Sequence, residues 1–368
     1  MDWEEKQQRG DPLGENETPE FQKLAVWAIT PNGITHGILL ARQLGSADLF
    51  VSRRLDLPPF SDEKITVFPS LSKEITARFN QYQGHIFIFS AGIAVRLIAR
   101  LMDSKLNDPA VVVLDDRACH AVSLISGHIG GGNDLARKTA AITGAVPVIT
   151  TATDVNTLPA VDLIAKQQNL VIENTQQIKP INMAILKNQI IRIYDPCGLV
   201  LPALPPHLAI PLADGGDGPV DLVCSDRVMD VPRETLVLRP RFLAAGIGCN
   251  RGTTTEEIQT FLDQVFQEND LSLDGIFTIA TSHVKADEGG LLRCAEKMGL
   301  EVVFFTKEQL NSVTTIETPS KMAEKHLGVK SVCEAAAILA TRRGTLVVPK
   351  QKRGNVTVAV ARKGPGFL

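Results

Sequence analysis

Leu124-Ile125-Ser126-Gly127-His128-Ile129-Gly130-Gly131-Gly132-Asn133-Asp134-Leu135-Ala136 starts at the end of an apolar run, crosses a glycine-rich turn and enters a helical pattern at Asn133. Strand, glycine turn and helix in that order point to an α/β domain. A helix start presents unpaired N–H groups and the positive end of a dipole, and glycines remove the side chains that would block approach. The turn is therefore an anion site in outline, suited to carboxylates or phosphates. His128 is its only side chain able to exchange a proton near neutral pH, which adds general acid/base work. The same turn also reads as a tight connection without a ligand. It matches neither the Walker A pattern nor Gly-x-Gly-x-x-Gly, which argues against a nucleotide.

Outward from this loop the plan repeats. Upstream, segments 24–29, 47–51, 65–68, 86–89, 110–114 and 121–125 read as strands, and 34–44, 71–79 and 93–101 as helices, with Ser70 a cap and 57–60 a proline-rich loop. Such alternation is the signature of an α/β domain with a largely parallel sheet. Ligands in these sheets collect beyond the carboxyl ends of strands, so the turns at Asn32-Gly33, Ala91-Gly92 and 127–132 are expected to line one crevice. Arg96 and Arg100 share a helix face and either serve acidic groups there or form a solvated surface.

Downstream, a helix over 135–142 stops at Gly144 and a strand follows over 146–150. The polar run Thr150-Thr151-Ala152-Thr153-Asp154-Val155-Asn156 suits capping, for Asn156, or a polar ligand contact, with Thr151 and Asp154 open to either. Helices at 159–168 and 178–186 and a strand at 189–194 form a small middle unit. From 195 to 240 the prolines and Asp214-Gly215-Gly216-Asp217-Gly218 read as a domain edge and a linker with one or two short strands.

A second strand, glycine turn and helix runs from Phe242 through Gly246-Ile247-Gly248-Cys249-Asn250-Arg251-Gly252 to Ile258, where Thr253 with Glu256, or Thr254 with Glu257, fits a capping box. Cys249 has no histidine or acid beside it in sequence, so a covalent thiol mechanism is not expected. The strand at 276–280 ends in Thr281-Ser282-His283-Val284-Lys285-Ala286-Asp287-Glu288, a crowd of ionisable groups fit for proton transfer or, for the acids, a helix first turn. A strand at 301–305, helices at 320–326 and 331–341, and an antiparallel pair of 346–349 with 356–361 complete the pattern.

Composition bounds the function. At 368 residues the chain exceeds one hydrophobic core, and its 44% hydrophobic and 21% charged residues are those of a globular protein. A net charge of -3 argues against a general nucleic-acid binder. No apolar stretch is long enough to span a bilayer, because Arg96 and Arg100 interrupt the best run, and the polar first twenty residues lack a signal-peptide core; the expected compartment is the cytoplasm. The six scattered cysteines form no C-x-x-C pair and read as reduced thiols, several of them buried.

Taken together, 126–133, Pro147-Val148-Ile149-Thr150-Thr151-Ala152-Thr153-Asp154 and 246–252 resemble the cobalt-precorrin-5A hydrolases of cobalamin biosynthesis. Ala91-Gly92-Ile93-Ala94-Val95-Arg96, Asp108-Pro109-Ala110-Val111-Val112-Val113, Ser331-Val332-Cys333-Glu334-Ala335-Ala336 and Leu346-Val347-Val348-Pro349-Lys350 support the match. Two stretches depart from the family pattern: His283 stands where an acid is usual, and 115–120 is unusual.

The resemblance implies a multi-domain α/β protein. Its expected parts are a loose tail (1–20), an N-terminal α/β domain with a largely parallel sheet (21–150), a small middle α/β domain with linker (151–235) and a C-terminal α/β domain with a mixed sheet (236–368). That last part is expected to be similar to a free-standing protein of the aerobic pathway. It implies hydrolysis of a δ-lactone on a cobalt-bearing tetrapyrrole with release of acetaldehyde. His128 is then the expected general base, with N–H groups of Gly130, Gly131 and Gly132 as oxyanion or carboxylate donors. Lys285, Asp287 and His283 are second-line groups across a cleft. Substrate contacts are expected from Ser126, Gly127, Gly130, Gly131, Gly132, Asn133, Gly92, Arg96, Thr151, Asp154, Gly246, Gly248, Cys249, Arg251 and Gly252. No protein-bound cofactor or metal is implied, since cobalt arrives with the substrate. The expected partner is that tetrapyrrole, with no nucleic acid and no membrane; a homodimer and transient contact with neighbouring pathway methyltransferases are compatible with it. Two other classes compete, a corrinoid carrier without chemistry and a phosphate-ligand enzyme using the same glycine loops.

Overall fold

The computed structural model describes residues 21–55, 65–104, 107–128, 130–213, 219–342 and 344–364. The tail at 1–20, the loop at 57–60, Ile129, the glycine run at 214–218 and the final residues 365–368 lie outside that set. The chain divides into two compact units, one ending at Leu158 and one beginning at Pro159.

The first unit contains β1 (Leu24–Ala28), α1 (Pro31–Leu44), β2 (Ala47–Ser52), β3 (Ile65–Phe68), α2 (Leu71–Arg78), β4 (Gly84–Ile88), α3 (Ala91–Ile98), β5 (Ala110–Leu114), β6 (His120–Ile125), α4 (Gly132–Thr143), β7 (Val146–Val148) and α5 (Ala152–Val155). Its seven-stranded sheet has the order β3-β2-β1-β4-β5-β6-β7. Fully apolar strands such as Leu24–Ala28 and Ala110–Leu114 are buried throughout, as a sheet covered on both faces requires. One face packs Ile34, Leu40, Leu135, Ala136 and Ala140 from α1 and α4 on Leu24, Ile86 and Val112. The other packs Ile75, Ala94 and Ile98 from α2 and α3 on Trp27, Phe50 and Phe87, with Trp27 and Phe50 stacked 4.2 Å apart. Helix α1 begins at Pro31, three residues earlier than the sequence pattern suggests. Thr30 caps it by accepting from Gly33 N at 3.1 Å, and Pro31 suits the first helical position.

One strand direction overturns the expected crevice. β2, β1, β4 and β5 run parallel, but β6 pairs with β5 antiparallel, with Val111 opposite Ile125, and β7 is parallel to β6. The carboxyl ends of β6 and β7 therefore emerge at the edge of the sheet where β1, β4 and β5 begin. The loop at 126–131 stands on that edge, while Asn32-Gly33 and Ala91-Gly92 stand on the opposite one, so the three turns do not line one crevice. The cause is the turn from Asp115 to Cys119, too short for a parallel crossover.

The second unit contains α6 (Val161–Gln167), β8 (Leu170–Ile172), α7 (Ile178–Leu186), β9 (Ile191–Tyr194), β10 (Ala209–Pro211), β11 (Leu222–Cys224), β12 (Leu236–Pro240), β13 (Leu243–Cys249), α8 (Thr255–Glu268), β14 (Ile276–Ser282), α9 (Gly289–Lys297), β15 (Glu301–Phe305), α10 (Lys307–Asn311), α11 (Lys321–Leu327), α12 (Val332–Ala340), β16 (Thr345–Arg353) and β17 (Val356–Arg362). The stretch expected as linker instead supplies β10, β11 and β12 to a sheet of order β10-β9-β11-β12-β8, parallel except for β8. Its strands have three to five residues, too short to show a period in sequence. The expected boundaries shift accordingly: residues 151–158 close the first unit and β12 belongs to the middle sheet.

The remaining sheet, β15-β14-β13-β17-β16, is mixed, with β13, β14 and β15 parallel and β16 and β17 the expected antiparallel pair. Helices α8 and α9 cover one face through Ile258, Leu262, Val265, Leu291 and Cys294. Helix α12 covers the other so closely that a Cβ on Gly246 would sit 1.9 Å from Cys333 O. Arg362, the last residue of β17, clasps Asp226 after β11 with Nε–Oδ2 at 2.6 Å and Nη2–Oδ1 at 2.9 Å, and Val228 N donates to Asp270 O, so the two sheets of this unit are fastened together. All six cysteines are free thiols, with Cys224, Cys294 and Cys333 buried.

His85, inside the first unit, sets a pH dependence. Trp27 Nε1 can only donate and meets Nδ1 at 3.1 Å, so Nε2 carries the proton that Phe79 O accepts at 2.9 Å. Burial lowers its pKa to about 4 from 6.5, against the opposing bond to Phe79. With the folded value below the unfolded one, this stability is fully present above pH 6.5 and is lost as pH falls toward 4. The loss over that range is expected to be about 3 kcal/mol. Denaturant unfolding of the wild type and His85→Gln across pH 7 to 4 should show a steeper decline in the wild type; equal slopes would contradict the assignment.

Candidate functional site

The site of the first unit grows from the carboxyl ends of β6 and β7. After β6 the chain enters a left-handed Ser126 (φ 54), passes Gly127 and His128, and reaches α4 through Gly131, its left-handed cap at φ 80. After β7 comes Thr151, which starts α5 and brings Asp154 back toward the loop. His128 Nε2 lies 2.9 Å from Asp154 Oδ2 and 2.9 Å from Thr153 Oγ1. The same Oδ2 accepts from Thr151 Oγ1 at 2.6 Å and Asn133 Nδ2 at 3.0 Å, while Oδ1 accepts from Arg137 Nη2 at 2.8 Å. Arg137 is itself held by Asp134 at 3.0 Å.

Electrostatically this is an ionised carboxylate behind an imidazole. Burial opposes ionisation of Asp154, but hydrogen bonds from His128, Thr151 and Arg137 and the charge on His128 outweigh it and hold the carboxyl well below the usual range. His128 and Asp154 are both partly buried, with 18% and 15% of their side chains exposed. Such a pair can orient a histidine and stabilise its imidazolium.

The glycine amides do something other than expected. Gly131 N donates to His128 O at 2.9 Å, Gly132 N to Ser126 O at 2.9 Å and Asn133 N to Gly127 O at 3.0 Å. The loop closes on itself, and the amides of Gly131, Gly132 and Asn133 are not available as oxyanion or carboxylate donors. The glycines serve close packing: a Cβ at Gly130 would lie 2.4 Å from Ser126 Cβ, and one at Gly127 2.7 Å from Asn133 Oδ1. The Ser126 hydroxyl and Asn133 Oδ1 are buried without a hydrogen-bond partner among the described residues.

At the opposite edge, Asp116 accepts from Thr30 Oγ1 and, at 2.9 Å, from Asn32 Nδ2. Gly92 is exposed there, and Arg96 turns back to its carbonyl at 3.0 Å. Neither residue meets His128. The unusual segment 115–120 is held by Asp115, which accepts from the backbone of Arg117 and His120 at 3.0 and 2.6 Å.

In the second unit the loops after β13 and β14 meet. Gly252 N donates to Glu288 Oε1 at 2.9 Å, Lys285 Nζ lies 3.5 Å from Glu288 Oε2, and Arg251 pairs with Asp287 at 2.7 Å. Glu288 is buried, Lys285 nearly so, and Arg251, Asp287 and His283 are exposed. Burial pushes the Cys249 thiol up, Lys285 opposing and Glu288 and Glu257 adding, which agrees with the absence of an activated thiol. Gly246 is packed closely against α12 and Gly248 against Thr357. Thr254, not Thr253, caps α8, accepting from Glu257 N at 3.2 Å; Glu257 turns away to Asn355 instead of completing a capping box. A depression of about 380 Å³ opens between the starts of α8 and α9, walled by Thr253, Thr254, Glu288, Gly289 and Arg293.

The structure thus joins His128, Asn133, Thr151 and Asp154, and separately Lys285, Arg251, Asp287 and Gly252. Sequence reasoning missed Thr153, Arg137 and Asp134 in the first set and Glu288 as a buried partner in the second. Arg137 three residues after Asp134 was the available signal, since that spacing places both on one helix face.

The chain matches three family descriptions in order: Cobalamin synthesis G N-terminal over residues 73–154, Cobalamin biosynthesis central region over 159–240 and Cobalamin synthesis G C-terminus over 243–361. A Priestia megaterium protein named cobalt-precorrin-5A hydrolase is 35% identical, covering 92% of this chain and 94% of its own. A Salmonella typhimurium protein of the same name is 32% identical, covering 94% of this chain and 99% of its own. Among solved structures, a cobalamin biosynthesis protein G homolog from Sulfolobus solfataricus is 20% identical, covering 93% of this chain and 98% of its own with a TM-score of 0.34.

The self-closed loop carries a direct test. Gly130→Ala is expected to force Ser126 away and cost roughly 1–3 kcal/mol of stability, read as a lower denaturant midpoint. An unchanged midpoint would show that the loop does not close on Ser126.

Proposed function

The chain belongs to the cobalamin synthesis G family of cobalt-precorrin-5A hydrolases, and from that premise we propose that it opens the δ-lactone of cobalt-precorrin-5A and releases acetaldehyde to give cobalt-precorrin-5B, in the anaerobic route to cobalamin. Identity along almost the full length of two relatives so named supports the reaction. The observation that supports a mechanism is the partly exposed imidazole of His128 backed by Asp154 at 2.9 Å.

The reaction needs a base twice. His128 takes a proton from water as the water oxygen bonds to the lactone acyl carbon. The acyl–oxygen bond breaks, and the proton passes to the departing alkoxide. The resulting alcohol then loses its proton, the adjoining carbon–carbon bond breaks with its electron pair left on the macrocycle, that carbon is protonated, and the freed fragment leaves as acetaldehyde. The macrocycle gains a carboxylate and loses the two-carbon substituent.

The amides of Gly131 and Gly132 are occupied by loop carbonyls and do not serve the charge on the intermediate. Lys285, beside Glu288, is better placed in the second unit for proton exchange than Asp287, whose carboxylate is taken by Arg251. Within the second unit, the depression between α8 and α9 carries Arg293 beside two helix starts, a setting suited to a carboxylate. In this reading cobalt belongs to the substrate and the protein works in the cytoplasm. No described helix is long and apolar enough to cross a membrane.

Purified protein given the lactone substrate should release one acetaldehyde per lactone opened. His128→Ala should cut kcat by about 10²–10⁴-fold while spectral titration shows the substrate still bound. Near-normal turnover would remove His128 from the mechanism, and tight binding by the wild type with no acetaldehyde would favour a corrinoid carrier.

A further inference from the structure

We propose that Asp154 is the positioning residue for His128: its carboxylate, anchored by Arg137, Thr151 and Asn133, fixes the imidazole in its Nε2–H form and so places the proton-accepting lone pair on Nδ1. This rests on the reading of His128 as general base.

The argument is one of donors and acceptors. Arg137 Nη2, Asn133 Nδ2 and Thr151 Oγ1 all donate to Asp154, at 2.8, 3.0 and 2.6 Å. A carboxylate so surrounded accepts only, hence the imidazole nitrogen 2.9 Å away must bring an N–H. Thr153 Oγ1, at 2.9 Å from the same nitrogen, accepts the second branch of that N–H. The neutral ring therefore keeps its lone pair on Nδ1, and which nitrogen is basic is set by the bond the other makes.

Charge works in the same direction. When Nδ1 takes a proton, the imidazolium faces the carboxylate. The cation behind it, Arg137, lies on the far oxygen and is matched by Asp134 at 3.0 Å, so the group nearest the ring is anionic. These residues come from α4 and α5, the two elements that the carboxyl ends of β6 and β7 bring together. A carboxylate used only to tie α5 to α4 would be replaced almost equally well by an amide of the same size; one that sets the tautomer would not, because an amide can donate to Nε2 and drive the proton onto Nδ1.

The test uses the full-length chain with two variants and two readouts. Acetaldehyde release is followed from pH 5 to 9, and ¹⁵N NMR of the histidine-labelled protein reports which His128 nitrogen is protonated. Asp154→Asn should lower kcat at least about 100-fold with little change in KM and move the proton to Nδ1. Asp154→Ala, which leaves the tautomer unbiased, should lose less and move the acid limb of kcat/KM to lower pH by roughly one unit.

Wild-type turnover in Asp154→Asn, or a proton on Nδ1 in the wild type, would overturn the proposal. Should the wild type release no acetaldehyde, the NMR arm still decides: a proton on Nε2 that moves in Asp154→Asn upholds the positioning role and defeats only the base assignment.

Discussion

Five residues cannot carry a chain from one end of a sheet back to the other, and the connection from Leu114 to His120 has five. β6 must therefore return against β5, and β7, joined to it by α4, follows the same direction. Everything about the first unit's chemistry depends on this reversal. It brings two segments 26 residues apart, those of His128 and Asp154, to one edge of the sheet, and it leaves the turns after β1 and β4 at the other.

Around that edge the protein builds with side chains instead of bare amides. The loop after β6 uses its own carbonyls to satisfy Gly131, Gly132 and Asn133, so the helix start behind it has little donor capacity left for a ligand. The loop after β13 has the same local plan and a similar outcome, since Gly252 gives its N–H to the buried Glu288. In the first loop backbone carbonyls take the amides, and in the second the Glu288 carboxylate does. Each unit pairs a carboxylate with a basic group, the imidazole of His128 in one and the ammonium of Lys285 in the other.

Much of the architecture was legible in the chain. Strands such as 110–114 announce themselves because both faces are covered and every residue is apolar, and Gly144 at φ 77 ends α4 where its lack of a side chain predicts. The middle sheet was not legible, because strands of three residues such as Ala209–Pro211 leave no period to read. For the site, His128 was visible as the lone titratable group of its turn. The partnership with Asp154 was obscured because Thr151 and Asp154 fit helix capping equally well in sequence, and only the placement of β7 beside β6 joins them. The mistaken single crevice came from assuming that every strand pointed the same way; the shortness of 115–119 was the sign to the contrary.

The clasp of Arg362 on Asp226 reaches beyond local packing. Asp226 is only 9% exposed at its side chain, so removing either partner would strand a charge in a poorly hydrated place, and the backbone pairing of Val228 with Asp270 runs alongside. The middle sheet and the sheet of β13 to β17 are consequently one mechanical block, resistant to hinge bending where their strands adjoin.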